Sequence, residues 1–412
     1  MRYLLFLLIV VAASLTCPDE KTAGTLDVKT GLDVLISERA EILENKHVAV
    51  IANHSSVTAE GKWILNALSD IRGLEVAMLF TPEHGLDLLD PDSRERWKNI
   101  RSVDLHTGSR RPDASQLSDL DAILYDIQDT GCRFYTYIST MLLVMDAAKE
   151  AGVEFIVLDR PNPLGGLVVE GPLLLEDFRS FVGMYPIPVR YGLTPGELAR
   201  MANGEGYLPS GGQTELNIVK MKNWKRSMYY DDTGLRWTPP SPNMPDLETT
   251  ILYPGMCLIE GTNLSEGRGT STPFRLVGAP WLTGPELLEQ MAQMLYTGVS
   301  LAGTTFTPVP IPGKCETPKY AGIELGGLSM RVTGRDTFKS FDFGVLLLRT
   351  VAAMKPDEFE WTGKYYIDRL AGTDELRKAI NSGTDPAPLL RRWEEEARDF
   401  ARKSRPYFLY GN

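Results

Sequence analysis

The sequence predicts an α/β protein: a Rossmann-like doubly wound parallel sheet with a smaller C-terminal α+β domain. Three observations predict it, namely continuous apolar runs, a polar cluster at the end of each, and helical periodicity between them. Strands buried on both faces cannot alternate polar and apolar residues, so unbroken runs separated by helices mean a parallel sheet covered on both sides. The length agrees, since 412 residues exceed the roughly 100–200 that one domain usually holds. With 43% hydrophobic and 24% charged residues, the composition is that of a globular protein and excludes a disordered or fibrous chain.

From the N-terminus, Met1-Arg2-Tyr3 precedes an apolar run over Leu4–Ala13. That is the pattern of an export signal, and the run is too short to span a bilayer comfortably. Its end, Ser14-Leu15-Thr16-Cys17, resembles a relaxed lipoprotein box, so residues 1–17 are read as an export signal that either leaves Cys17 lipidated or is simply cleaved. The expected location is outside the cytoplasm: periplasmic, held to the membrane only through that lipid, or secreted. Residues 18–28 are polar and aperiodic and read as a tether.

A catalytic domain is expected over 29–275. Its first run, His47–Ala52, ends in Asn53-His54-Ser55-Ser56, with a helix-like stretch through Trp63, Ile64, Leu65 and Leu68. The second, Val76–Phe80, ends in Thr81-Pro82-Glu83-His84-Gly85. The third, Ala122–Tyr125, ends in Asp126-Ile127-Gln128-Asp129-Thr130-Gly131 and leads to Met141, Leu142, Val144, Met145 and Ala148 at helical spacing. The fourth, Glu154–Leu158, ends in Asp159-Arg160-Pro161-Asn162-Pro163. Thr194-Pro195-Gly196-Glu197 opens a short helix with a capping residue and proline in the first turn. The proline-rich stretch Trp237–Pro245 is a rigid loop. Ile251-Leu252-Tyr253, Pro254-Gly255 and Cys257-Leu258-Ile259 read as a fifth apolar run with a polar end.

From 276 to 412 the pattern changes to an auxiliary α+β domain, with helices over Pro285–Leu295 and Phe343–Met354 and β-like runs at Thr304–Val309 and Leu328–Val332. It is expected to close one wall of the cleft. Ligands of such sheets bind outside the carboxyl ends of the strands, where these polar clusters fall.

The bulk chemistry excludes several partners. A net charge of −11 leaves no basic face for nucleic acid. There is no Gly-x-Gly-x-x-Gly after the first run and no Gly-Lys-Ser or Gly-Lys-Thr, so the glycine cradle a nucleotide needs is absent, and no cofactor is expected. Histidines at 47, 54, 84 and 106 and internal cysteines at 132, 257 and 315 are too scattered for a metal site or a disulfide framework. No Gly-x-Ser-x-Gly elbow is present. What remains is carboxylates at strand ends: Glu83, Asp126, Asp129 and Asp159, the last beside Arg160. Crowded, partly desolvated carboxylates repel one another, and at least one should hold its proton near neutral pH, as cleavage of a glycosidic bond requires. Each has a plainer reading. Glu83 could cap a helix, Asp126 and Asp129 could hold a turn, Asp159-Arg160 could be a structural ion pair, and Tyr135, Tyr137 and Trp224 could be core or rim aromatics. Asn53 and His54 could order their loop or touch ligand.

The strings Ala52-Asn53-His54, Thr81–Gly85, Tyr125–Asp129, Arg133-Phe134-Tyr135-Thr136-Tyr137, Leu158–Pro163 and Glu260–Thr270 resemble the exo-β-N-acetylmuramidases, the NamZ-type glycoside hydrolase family. The resemblance runs from about Gly31 to Arg405-Pro406-Tyr407. It implies removal of terminal N-acetylmuramic acid from peptidoglycan fragments, with Glu83 as catalytic acid or base and Tyr135 or Tyr137 nearby. The chain departs from the family after Gly85, where Leu86–Asp92 replaces a longer Gly- and Asp-rich loop.

The resulting expectation places Glu83, His84, Asp126 and Tyr137 in catalysis, with Asp126, Asp129 or the substrate's own N-acetyl group supporting the anomeric centre, and His84 and His54 orienting these groups. Arg133, Arg160 or Arg268 would grip the lactyl carboxylate. Asn53, His54, Asp129, Tyr135, Asp159, Asn162, Asn243, Glu260, Asn263 and Glu266 complete the candidate substrate contacts. The alternatives are a muropeptide-binding surface lipoprotein without turnover, or a glycosidase for another amino sugar.

Overall fold

The computed structural model describes residues 27–86 and 88–412; the expected export signal, Cys17, nearly all of the expected tether and Asp87 of the loop after Gly85 lie outside the described residues. Val28, assigned to the tether, is buried with Met221 and Trp224 and already belongs to the folded body.

Six strands form the first sheet: β1 His47–Ala52, β2 Glu75–Thr81, β3 Ser102–Asp104, β4 Ala122–Asp126, β5 Glu154–Leu158 and β6 Leu216–Val219. Their order is β3-β2-β1-β4-β5-β6, and every pairing is parallel. This is the Rossmann order, with the chain reversing direction across the sheet between β1 and β4. One face is covered by the helices Gly31–Glu38 and Ile64–Leu68, which pack on Val48, Val50, Leu124 and Ile156. The other face buries Ala49, Ile51, Ile123 and Tyr125 under the helix Tyr137–Ala151. That helix stops at Gly152, whose φ of 69° continues the chain in the left-handed region. The helix Pro195–Gly204 begins with the expected capping box of Thr194 and Glu197.

The second unit carries an antiparallel sheet of β7 Leu276–Ala279, β8 Val299–Phe306 and β9 Leu325–Val332, with β9 in the middle. The helix Gly284–Met291 packs on β8 and β9, and the helix Ser340–Met354 packs against it and against the helix Leu247–Met256. The core is continuous between the units, since Tyr125 and Phe155 of the parallel sheet belong to the same buried cluster as Leu252, Phe274, Phe341 and Leu348.

The fifth apolar run forms the helix Leu247–Met256, followed by a 3-10 turn over Cys257–Gly261; the β-like run read at Thr304–Val309 is the end of β8, which spans Val299–Phe306. An unbroken apolar run does not by itself distinguish a buried helix from a buried strand. The overlooked signal is Asp246, whose carboxylate caps the helix by accepting from the Thr249 amide at 2.8 Å. Gly255 has a packing role: a Cβ there would lie 1.9 Å from the Ser340 carbonyl oxygen, so only glycine lets this helix reach the helix Ser340–Met354.

Candidate active site

A cleft of about 510 Å³ opens where the end of β2, the start of the helix Tyr137–Ala151, the proline-rich loop and the second unit meet. Its walls include Glu83, His84, His106, Tyr135, Thr136, Asn243, Tyr253, Glu260, Arg268 and Tyr366. The volume is in the range of small-molecule clefts.

Glu83 is placed by a tight turn. The Gly85 amide donates to the Pro82 carbonyl at 3.0 Å, and His84 takes a φ of 66°, uncommon for a side chain of its size. Thr136 stands at the cap of the next helix but makes no side-chain bond to it; its Oγ1 donates to Glu83 Oε2 at 2.9 Å instead. Two imidazoles flank the carboxylate, with His84 Nε2 3.9 Å from Oε1 and His106 Nδ1 3.9 Å from Oε2. The Glu83 side chain is 35% exposed, open to a ligand on one side and held on the other. Beneath it the Tyr137 hydroxyl donates to the Pro240 carbonyl at 2.6 Å and lies 3.4 Å from the Glu83 carbonyl oxygen. Tyr137, Tyr135, Tyr253 and Phe274 form an edge-to-face series that makes a firm aromatic floor.

The second carboxylate of the cleft is Glu260, on the 3-10 turn. Arg268 Nη2 lies 3.0 Å from its Oε1, and behind that pair Glu266 is 4.0 Å from Arg268 and 3.3 Å from Lys319. Burial pushes the Glu260 carboxyl up, Arg268 pulls it down, and Glu266 adds to the rise. Among the described residues no three His, Cys, Asp or Glu side chains converge to hold a metal ion.

Of the residues singled out in the sequence, the structure brings Glu83, His84, Tyr135, Asn243, Glu260 and Arg268 to the cleft wall. Tyr137 and Glu266 lie directly behind that wall. His54 ties down the proline-rich loop by donating from Nε2 to the Pro239 carbonyl at 2.6 Å. Asn53 is buried and accepts from the Ser55 amide at 2.8 Å and from its hydroxyl.

The others are corrected: they lie off the cleft wall and bond to the scaffold. Arg160 grips Asp126 through Nε and Nη2, the latter at 2.8 Å, and both side chains are almost fully buried. Arg133 is wholly buried and donates to four carbonyls, those of Pro172, Ile187, Leu370 and Ala371. It joins the first unit to the second and has no donor fork left for a substrate carboxylate. Asp159 accepts from the Gly196 amide, Thr194 and Tyr410, at 2.8, 2.7 and 2.6 Å. Asn162 bridges the Leu193 carbonyl and the Leu164 amide. Asn263 does the same for Glu358 and Glu360.

Asp129 is buried too, accepting from the Tyr191 hydroxyl at 2.5 Å and the Gly131 amide at 2.6 Å. Burial pushes its carboxyl up to about 6, against the pull of those bonds. A carboxyl that keeps its proton to higher pH in the fold than the ordinary 3.8 stabilises the fold most below about pH 4, and that contribution is lost as pH rises through about 6. Asp129→Asn is therefore expected to flatten stability against pH across that window, removing on the order of 2–3 kcal/mol of variation. Urea midpoints at steps between about pH 4 and 6 measure it, and an unchanged slope would contradict the assignment.

Sequence reasoning missed His106, Arg110, Phe181, Tyr253, Lys314, Tyr366 and Arg369 on the cleft wall. His106 and Arg110 follow β3, a three-residue edge strand with too short an apolar run to detect. Lys314, Tyr366 and Arg369 come from loops and short helices of the second unit, which carry no motif signal.

Fold and cleft together define a class: a two-unit α/β protein with a carboxylate-lined cleft on the carboxyl edge of a Rossmann-like sheet, closed by an antiparallel second unit. The chain belongs to the NamZ family, matching the family models of the exo-β-N-acetylmuramidase NamZ N-terminal region over residues 48–248 and C-terminal region over 251–410. It is 38% identical over 408 residues to the peptidoglycan β-N-acetylmuramidase NamZ of Bacillus subtilis, covering 97% of this chain and 96% of that protein. Crystal structures of two DUF1343 family proteins of Bacteroides fragilis are similar to it. The first has a TM-score of 0.85 at 32% identity, covering 93% of this chain and 99% of that one. The second has a TM-score of 0.78 at 32% identity, covering 94% and 100%.

Proposed function

We propose that this protein is an exo-acting glycoside hydrolase that releases terminal N-acetylmuramic acid from peptidoglycan fragments. The observation that carries the reading is Glu83: a half-exposed carboxylate in the cleft, bonded by Thr136 and flanked by His84 and His106, in a chain of the muramidase family. In this reading Glu83 gives its proton to the glycosidic oxygen as the bond to the anomeric carbon breaks, and the leaving sugar departs as a neutral alcohol. The oxocarbenium-like centre that develops is supported by Glu260 of the same cleft or by the substrate's own N-acetyl group, and a water then adds to the anomeric carbon and gives its proton to Glu83, which restores the acid. Asp126 and Asp129 have no part in this step, because neither lines the cleft. His84 and His106 flank Glu83 at 3.9 Å each, and Tyr135 and Tyr253 bring aromatic rings to the cleft wall.

The test is product analysis with two disaccharides of N-acetylmuramic acid and N-acetylglucosamine, one for each order of the sugars. Free N-acetylmuramic acid is expected only where it occupies the non-reducing end. Release from both orders, or from neither, would contradict the reading.

A further inference from the structure

We infer that Arg110 is the residue that selects for an acidic sugar, by taking the lactyl carboxylate of the terminal muramic acid in a two-pronged hydrogen bond. The inference rests on the muramidase reading and deepens it.

The cleft runs against the charge of the molecule. A chain of net charge −11 surrounds a cavity whose described lining has four cations, Arg110, Arg268, Lys314 and Arg369, and two carboxylates, Glu83 and Glu260. Arg268 is taken, since it pairs with Glu260 and sits near Glu266. Arg110, Lys314 and Arg369 make no ion pair with a described carboxylate. Cations left without partners around a cleft create a field that draws an anion.

Of the three, Arg110 is prepared for a carboxylate. Its guanidinium carbon lies 3.8 Å from the centre of the Phe181 ring, a stacking contact. Stacking uses the face of the guanidinium and leaves the in-plane N–H donors free, the geometry a carboxylate meets with both oxygens. The neighbouring Arg111 is pinned to Asp146 at 3.2 Å and to Glu150 at 2.6 Å, which fixes the loop that presents Arg110. The same loop carries His106 beside Glu83. In muramic acid the lactyl group hangs from the ring carbon two bonds from the anomeric one, so its carboxylate and the bond to be broken must be read by neighbouring parts of the protein. The stretch from His106 to Arg110 provides that neighbourhood. Arg369 has no ring beneath it, and Lys314 offers a point charge without a fork.

The experiment compares a chromogenic N-acetylmuramic acid glycoside with its lactyl methyl ester, which keeps the shape and loses the charge. The wild-type protein is expected to favour the acid over the ester in KM by roughly 10–100-fold, the range for a hydrogen bond to a charged group. Arg110→Ala should bring the two KM values together, Arg110→Lys should restore part of the gap, and Arg369→Ala should keep most of it. A preference that survives Arg110→Ala, or one abolished by Arg369→Ala instead, overturns the inference. Calorimetric titration with free N-acetylmuramic acid and N-acetylglucosamine separates this from the activity itself. If no hydrolysis occurs but the acid binds better in an Arg110-dependent way, the muramidase reading fails and the role of Arg110 stands. If the two sugars bind alike, the role of Arg110 fails.

Discussion

Glu83→Gln is expected to lower kcat on a muramic acid disaccharide by about 10²- to 10⁴-fold, the usual worth of a positioned acid or base. The glutamine keeps the size of the side chain, and its carbonyl oxygen can still accept the Thr136 hydrogen bond seen at 2.9 Å. Folding and KM should therefore change little while the chemical step fails. Steady-state kinetics on the purified variant, beside its thermal melting curve, measure both. A variant with near wild-type kcat would remove Glu83 from the reaction.

Arg160→Met should cost stability and not chemistry. Arg160 and Asp126 are 3% and 0% exposed, and Arg160 also donates to the Val57 carbonyl at 2.9 Å. Removing the guanidinium leaves a carboxylate at the end of β4 without its counter-charge, a loss of about 3–5 kcal/mol for buried pairs. Pairing Arg160→Met with Asp126→Leu should recover much of that, because an apolar pair does not need what a stranded charge needs. Urea unfolding of the two variants measures the difference. The fraction of Arg160→Met that folds should keep its KM, as neither residue lines the cleft. A raised KM with unchanged stability would return Arg160 to the substrate.

The sheet was legible in the sequence because burial on both faces writes itself as unbroken apolar runs, and the runs ending at Ala52, Phe80, Tyr125 and Leu158 all became strands. The polar clusters after them were less informative, since a polar residue at a strand end looks the same whether it serves a ligand or the fold. Glu83 faces the cleft, whereas Asp126, Asp129, Asp159 and Arg133 are buried in bonds to the scaffold. Partners far along the chain decide between the two outcomes: Arg133 meets the carbonyls of Leu370 and Ala371, and Asp159 meets Tyr410. The same distance hid the far wall. Arg369 and Tyr366 reach the cleft on the helix Tyr366–Ala371, which packs closely on the 3-10 turn carrying Glu260: a Cβ at Gly261 would lie 2.8 Å from Ile367.

The role of Glu83 as proton donor is tested most directly by changing the leaving group. Glu83→Gln and the wild-type protein can be compared on muramic acid glycosides of dinitrophenol, which departs without a proton, and of N-acetylglucosamine, which needs one. The expected result is a large loss on the disaccharide and a small loss on the dinitrophenyl glycoside. An equal loss on both would mean that Glu83 does something other than protonate the departing oxygen.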